Sequence, residues 1–191
     1  MDHPLAGKTV AILVANGFEE IEMTEPQRAL LGAGATLKLV SPEQGLVNGW
    51  HGKAWGHYFP IDTQISEALA ADFDALLVPG GKRGVEKLAQ NPHTKRLLKG
   101  FLDGNKPVAL VGDAPSLLVA AERAQGRKVA ANEDVRESLE QAGAKVESTE
   151  EQPIVVDRSL ISATSSADMA VFKDEVVKLF VEITGGMQAA A

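Results

Sequence analysis

The sequence contains no cysteine among its 191 residues. Disulfide bonds, thiolate metal sites and a thiol nucleophile are therefore excluded for this chain. No apolar run approaches the length of a membrane-spanning helix. The first residues lack the basic and apolar regions of a secretion signal, so we expect a cytoplasmic location.

Basic residues are the minority, with 19 Lys and Arg against 26 Asp and Glu and a net charge of -7. A nucleic-acid-binding protein needs a basic surface for phosphates, so this balance argues against nucleic acid as the partner. No membrane partner is expected either, since no apolar run is long enough to span a membrane. The hydrophobic fraction of 45% is ordinary for a globular protein. We therefore expect a soluble domain whose core forms without a metal or any other cofactor.

Short apolar runs alternate with segments of helical spacing. The run at residues 9–15 is typical of a strand that is buried on both faces. Further strands are predicted at residues 36–40, 75–78, 108–111, 128–130, 154–156 and 160–162. Helices are predicted at residues 20–33, 65–71, 85–103 with a break at Asn91-Pro92, 114–124, 133–142 and 167–183. This alternation predicts an α/β fold with a doubly wound, flavodoxin-like, mostly parallel sheet and helices on both faces.

No linker or repeat divides the chain, so residues 1–191 are expected to form a single domain with a core at about 8–183 and a frayed tail at 187–191. Residues 43–62 are rich in glycine and contain both tryptophans, which predicts an insertion with one hairpin. His51 and His57 lie in this insertion, and their spacing fits no common metal signature. They are interpreted as surface loop histidines.

Three segments follow predicted strands at the sheet edge where doubly wound folds place ligands and catalytic groups: 16–22, 79–86 and 112–115. Together they resemble the ThiJ/PfpI superfamily, which has a class I glutamine amidotransferase-like fold. The superfamily's acidic turn is matched by Asn-Gly-Phe-Glu-Glu-Ile-Glu from Asn16, and its glycine loop by Pro79-Gly80-Gly81. Residues 106–111 resemble the strand before the nucleophile elbow. The resemblance implies that Gly80 and Gly81 belong to an oxyanion hole.

The sequence departs from the superfamily at the elbow itself. The superfamily normally has cysteine and then histidine, where this chain has Gly112 and Asp113. Glycine has no side chain to attack a carbonyl, and Asp113 cannot replace an imidazole as a near-neutral base. The elbow also resembles the C-terminal domain of large-subunit catalases. The superfamily's peptidase, amidase, glyoxalase and deglycase activities therefore do not carry over.

Four acidic residues remain as site candidates. Glu22 matches the acid that bonds the thiolate in relatives, and we expect either a buried acid with a raised pKa or one hydrated by cleft water. Helix capping is preferred over catalysis for Asp113. Glu19 and Glu86 are interpreted as solvated charges near helix starts, although Glu86 resembles a residue that reaches across the dimer interface in relatives.

The leading hypothesis is a catalytically inactive homodimer with a stress-related or regulatory binding role and a small molecule in the cleft. One alternative is a hydrolase or lyase that uses Glu22 and Asp113. Another is a structural module of a larger assembly. In each case Gly112 is expected to keep the elbow turn with an unusual or positive φ.

Overall fold

The computed structural model describes the backbone of residues 2–189 and the side chains of residues 2–186. The strands are β1 Thr9–Leu13, β2 Phe18–Glu19, β3 Thr36–Ser41, β4 Leu46–His51, β5 Ala54–Pro60, β6 Thr63–Gln64, β7 Ala75–Val78, β8 Val108–Val111, β9 Lys128–Val129, β10 Lys145–Val146, β11 Ile154–Asp157 and β12 Leu160–Ala163. The helices are α1 Glu20–Gly32, α2 Lys82–Gln90, α3 Pro92–Asp103, α4 Leu117–Ala120, α5 Glu133–Gln141 and α6 Met169–Ala189. None of the described helices is both long and apolar enough to cross a membrane.

The main sheet has seven strands in the order β11-β12-β8-β7-β1-β3-β6. Every neighbouring pair is parallel except β11 and β12. Strands β7 and β8 are buried along their whole length, as a parallel sheet with both faces covered requires. The predicted α/β fold with a mostly parallel sheet is confirmed.

Two apolar layers cover the two faces of this sheet. Alternate residues of β1 point to opposite faces, so Leu13 joins one layer and Ile12 the other. Helices α2 and α3 pack on the first face, with Phe101 among the buried side chains. Helices α1 and α6 pack on the second face through side chains such as Met23 and Phe172. The sheet is thereby held rigidly beneath the loops at its carboxyl edge.

The insertion at residues 43–62 forms the predicted hairpin. Strands β4 and β5 pair antiparallel, and β2 joins β4 in parallel to make a small second sheet. Strand β2 directly precedes α1, so the hairpin is anchored to the segment that carries the acidic turn. This arrangement brings the hairpin to the edge where the site candidates lie.

Two of the predicted helices are shorter in the structure than expected. Residues 65–71 form no α-helix, because Leu69 is extended, with φ of -117° and ψ of 140°, and only a 3-10 turn at Ala70–Asp72 follows it. The helix after the elbow is a 3-10 turn at Ala114–Ser116 followed by α4, and it stops before Glu122, whose φ is +56°.

The last helix does not end at Gly185-Gly186. Helix α6 continues to Ala189, because neither glycine adopts the positive φ that ends a helix. The expectation of a frayed tail at 187–191 falls partly on Ala190 and Ala191, which lie outside the described residues.

Candidate functional site

Gly112 ends strand β8 in a sharp turn. Its φ is +63°, in the left-handed region that favours glycine, and its N–H donates to the Ala163 carbonyl at 3.0 Å. The expected positive φ is therefore confirmed. The elbow geometry is present at a residue that carries no side chain.

The carboxyl group of Glu22 lies directly against Gly112. Glu22 is in the first turn of α1 and is only 3% exposed. A Cβ at residue 112 would lie 2.8 Å from Oε1 and 3.1 Å from Oε2 of Glu22, and a Cβ at Gly80 would lie 3.0 Å from Oε1. The Glu22 carboxyl thus occupies the space where a side chain at residue 112 would begin.

Burial raises the pKa of Glu22 to about 8, with smaller contributions from the negative charges of Glu19 and Asp113. The backbone N–H of Gly80 and the hydroxyl of Ser166 act in the opposite direction. Oε2 has no hydrogen-bond partner among the described residues. Glu22 is therefore mostly a neutral acid at pH 7, which agrees with the first of the two expectations for this residue.

The capping role predicted for Asp113 is wrong. Its side chain makes no cap hydrogen bond, because φ of -84° and ψ of -14° are already helical rather than extended. Oδ1 instead accepts a 2.7 Å hydrogen bond from Nδ2 of Asn132. Asn132 also caps α5 by accepting from the N–H of Val135 at 3.3 Å. Asp113 is thus held by a residue that the sequence did not indicate.

Glu19 faces the same cleft. The interpretation as a solvated charge is wrong, because Glu19 is partly buried and burial raises its pKa, with His51 acting in the opposite direction. Its N–H donates to the Gly80 carbonyl at 3.0 Å, so the acidic turn and the glycine loop are in contact. Gly81, with φ of +96°, has no room for a Cβ, which would lie 2.6 Å from the Glu19 nitrogen. Glu86, by contrast, is exposed on α2 as expected.

Glu19, Glu22, Gly112 and Asp113 line an open cleft of about 440 Å³. Its lining consists of Gly17, Glu19, Glu22, Trp50, Gly81, Lys82, Arg83, Gly112, Asp113, Asn132, Thr164, Ser165 and Ser166. The guanidinium of Arg83 lies over Trp50, 4.8 Å from the ring centroid, and 5.5 Å from that of Trp55. The cleft is therefore acidic inside and aromatic and basic along one wall.

A second cluster lies beside the cleft at Glu20, whose carboxylate is 4% exposed. Nδ1 of His57 is 3.0 Å and Nδ1 of His51 is 3.6 Å from its Oε2, and the His57 N–H donates to Oε1. The histidine rings are exposed as predicted, but they lie on β4 and β5 rather than in a loop. Among the residues that the structure describes, no group of three or more acidic and histidine side chains is arranged to hold a metal ion.

The sequence interpretation missed Glu20, Asn132, Arg83 and Ser166 as parts of this region. A sequence signal existed only for Glu20, namely the two glycines, Gly49 and Gly56, that flank the tryptophans of the hairpin. A Cβ at either glycine would overlap the Glu20 side chain. Their spacing in the hairpin marks the close approach of another chain segment.

Comparison with known proteins identifies the family of the chain. The DJ-1/PfpI family model matches residues 8–179. General stress protein 18 of Bacillus subtilis is 32% identical over 174 residues, covering 91% of this chain and 98% of that protein. Deglycase TK1284 of Thermococcus kodakarensis is 31% identical, with coverage of 89% and 98%.

Among solved structures, a two-domain protein from Anabaena variabilis with DJ-1/ThiJ/PfpI-like and ferritin-like domains is similar with a TM-score of 0.82 and 27% identity. The match covers 90% of this chain but only 47% of that one. The chain belongs to the DJ-1/PfpI family.

Proposed function

We propose that this protein is a catalytically inactive member of the DJ-1/PfpI family that binds a small molecule in the cleft, in a stress-related or regulatory role. The observation that carries the proposal is the pair Gly112 and Glu22. The elbow keeps its sharp turn with a positive φ, but the space for a nucleophilic side chain is filled by a carboxyl group. Covalent catalysis requires an activated nucleophile beside a base, and residue 112 provides none.

Two hydroxyl groups of the cleft, those of Thr164 and Ser165, already have partners. Oγ1 of Thr164 donates to the Asp168 carboxylate at 3.1 Å, and Oγ of Ser165 accepts from the N–H of Ala167 at 3.3 Å. Neither has an imidazole beside it, since His51 and His57 both pair with Glu20. These contacts support binding rather than covalent chemistry as the task of the cleft.

The stress-related part of the proposal follows the name of General stress protein 18, which is similar over nearly its full length. The name of Deglycase TK1284 describes an enzyme. We do not extend that activity to this chain, because the residue pattern at 112 and 113 departs from the cysteine and histidine that the family resemblance implies.

Activity assays test the proposal. With dicarbonyls, glycated amines and peptides, the wild-type protein is expected to give no turnover above buffer, and thiol alkylators are expected to change nothing. Gly112→Cys restores a thiol beside Glu22 but no imidazole, so only weak activity is expected from it. Robust turnover by the wild-type chain would contradict the proposal.

One observation favours a second candidate, an acid-dependent hydrolase or lyase. The Glu22 carboxyl, with its pKa of about 8, can donate a proton at neutral pH, and Asp113 lines the same cleft. For this candidate, turnover should fall above pH 8 and should be lost in both Glu22→Gln and Asp113→Asn. Activity that survives both substitutions would exclude it.

A further inference from the structure

Negative charge in the cleft is not neutralised within the chain. Glu19, Glu22 and Asp113 all line the same cleft, and the negative charges of Glu19 and Asp113 each raise the pKa of Glu22. Among the described residues, none of the three forms an ion pair with Lys, Arg or His. Nearby carboxylates behave differently, since Glu20 pairs with two histidines and Glu43 with Lys87.

A second and independent observation concerns hydrogen bonding at Glu22. Its Oε2 atom is buried and has no partner among the described residues, although the side chain lines the cleft. Buried polar atoms are nearly always hydrogen-bonded, so an exception at a cleft indicates a group that is supplied by a ligand. A donor that enters the cleft would favour the ionised form of this carboxyl, whose oxygens accept hydrogen bonds.

The basic residues at the rim do not fill this role. Lys82 and Arg83 line the cleft from the start of α2, but neither is ion-paired with any carboxylate among the described residues. The guanidinium of Arg83 is directed to Trp50 instead. The inner acidic groups therefore remain open to a cation that enters from solvent.

We propose that the cleft binds a small organic cation through a primary ammonium group, which donates to the carboxylates of Glu22, Asp113 and Glu19. This inference rests on the proposed binding function and names its ligand class. An ammonium carries three N–H donors and a compact charge, which suits a cleft lined by three carboxyl groups. A volume of about 440 Å³ leaves room for the rest of a metabolite-sized amine beside Trp50.

Proton release follows from this binding mode. The charged or titratable groups around Glu22 are Glu19 before α1, Asp113 after β8, Lys82 and Arg83 on α2, and His51 on β4 beyond Glu19. In the free protein Glu22 is mostly protonated at pH 7, because its pKa is about 8. A bound ammonium favours the ionised carboxylate, so binding should release about one proton at pH 7.

The test is calorimetric titration of the full chain with ethylammonium chloride at constant ionic strength, between pH 6 and pH 8 and in two buffers of different ionisation enthalpy. Wild-type protein should bind ethylammonium with an affinity that rises by up to about tenfold per pH unit below the pKa of Glu22. Tetramethylammonium has the same charge but no N–H donor, so it should bind at least about tenfold more weakly.

Variants separate the site from general charge effects. Glu22→Gln should lose both the proton release and most of the affinity, whereas Glu151→Gln, at an exposed position outside the cleft, should behave like wild type. If Glu22→Gln does not fold, Asp113→Asn should still weaken binding and reduce the proton release. Circular dichroism checks folding in each case.

Preferential binding of acetate, tightening as the pH falls, would overturn the inference, because Glu22 would then act as a donor to an anion. Absence of ethylammonium binding, or equal binding of tetramethylammonium, would overturn it as well. Product analysis of the activity assays reports separately on the proposed function. Turnover there contradicts the inactive assignment without changing the ammonium result.

Discussion

At the scale of single residues, Gly112 combines two constraints that a substitution would break together. An alanine would need a positive φ and would place its Cβ 2.8 Å from Oε1 of Glu22. We expect Gly112→Ala to lower the free energy of unfolding by at least about 1 kcal/mol, since a Cβ is strained at this φ. Urea denaturation measures the change.

Gly126→Ala is the matched control for this substitution. Gly126 also has a positive φ of +78°, but a Cβ there meets no atom within 4 Å. It therefore reports the backbone penalty alone, and Gly112→Ala should cost more because of the contact with Glu22. Equal losses in the two variants would show that Glu22 simply moves aside.

The second prediction at this scale concerns Glu22 and pH. Its pKa is raised from 4.5 to about 8 in the folded chain, so the folded state binds more protons than the unfolded state between these values. Stability from this group is fully present below about pH 4.5 and is lost as the pH rises through 8. Each pKa unit corresponds to about 1.4 kcal/mol, so the loss amounts to a few kcal/mol.

Glu22→Gln removes the titration while keeping the shape of the side chain. Relative to wild type, the glutamine variant should become more stable as the pH rises from 5 to 8.5, by a few kcal/mol at most. Urea unfolding of both proteins across this range provides the measurement. A stability difference that does not change with pH would contradict the raised pKa of Glu22.

At the scale of elements, the β4–β5 hairpin is fastened to α1 through one carboxylate. Glu20 lies between Gly49 and Gly56, where it meets both histidines and the backbone N–H of His57. This contact holds Trp50, on the same hairpin, at the wall of the cleft. Packing of the hairpin and shape of the cleft therefore depend on the same side chain.

Gly56→Ala should disrupt this attachment, because its Cβ would overlap the Glu20 carboxyl. Overpacking of this kind costs roughly 1–3 kcal/mol. Hydrogen exchange should accelerate mainly at the amides of β4 and β5. Gly32→Ala, where a Cβ has open space, is the control and should leave these amides unchanged. Unchanged exchange in the Gly56 variant would argue against Glu20 as the anchor of the hairpin.

At the scale of the whole molecule, the outer face of the hairpin supports the proposed homodimer. Trp55 and Tyr58 on β5 and Leu46 on β4 are at least half exposed. Such exposed apolar groups on and beside an edge strand, here β5, are typical of interaction surfaces. Light scattering at micromolar concentrations should give twice the 20.2 kDa mass of the chain. Tyr58→Ser with Trp55→Ser should shift the protein toward monomer, whereas a wild-type monomer would contradict the proposal.

Most strands of the main sheet could be predicted from local pattern, because a buried parallel strand needs a continuous apolar run and each run is read directly from neighbouring residues. The short strands β2, β6 and β10 were not predicted. Runs at residues 75–78 and 108–111 match β7 and β8 residue for residue. Helix ends were less predictable, since α4 stops at a single backbone conformation near Glu122 and not at a compositional signal.

Thus the amino-acid sequence alone determined the class of fold, the absence of thiol chemistry and the glycine at the elbow, since each depends on residue type or on neighbours in the chain. Only the tertiary structure decided which polar groups meet. Asn132 lies 19 residues from Asp113, and His57 lies 37 residues from Glu20. Such partners are set by strand order and by the direction of each side chain, which no local pattern encodes. The raised pKa of Glu22 has the same origin, because burial is a property of the packed chain.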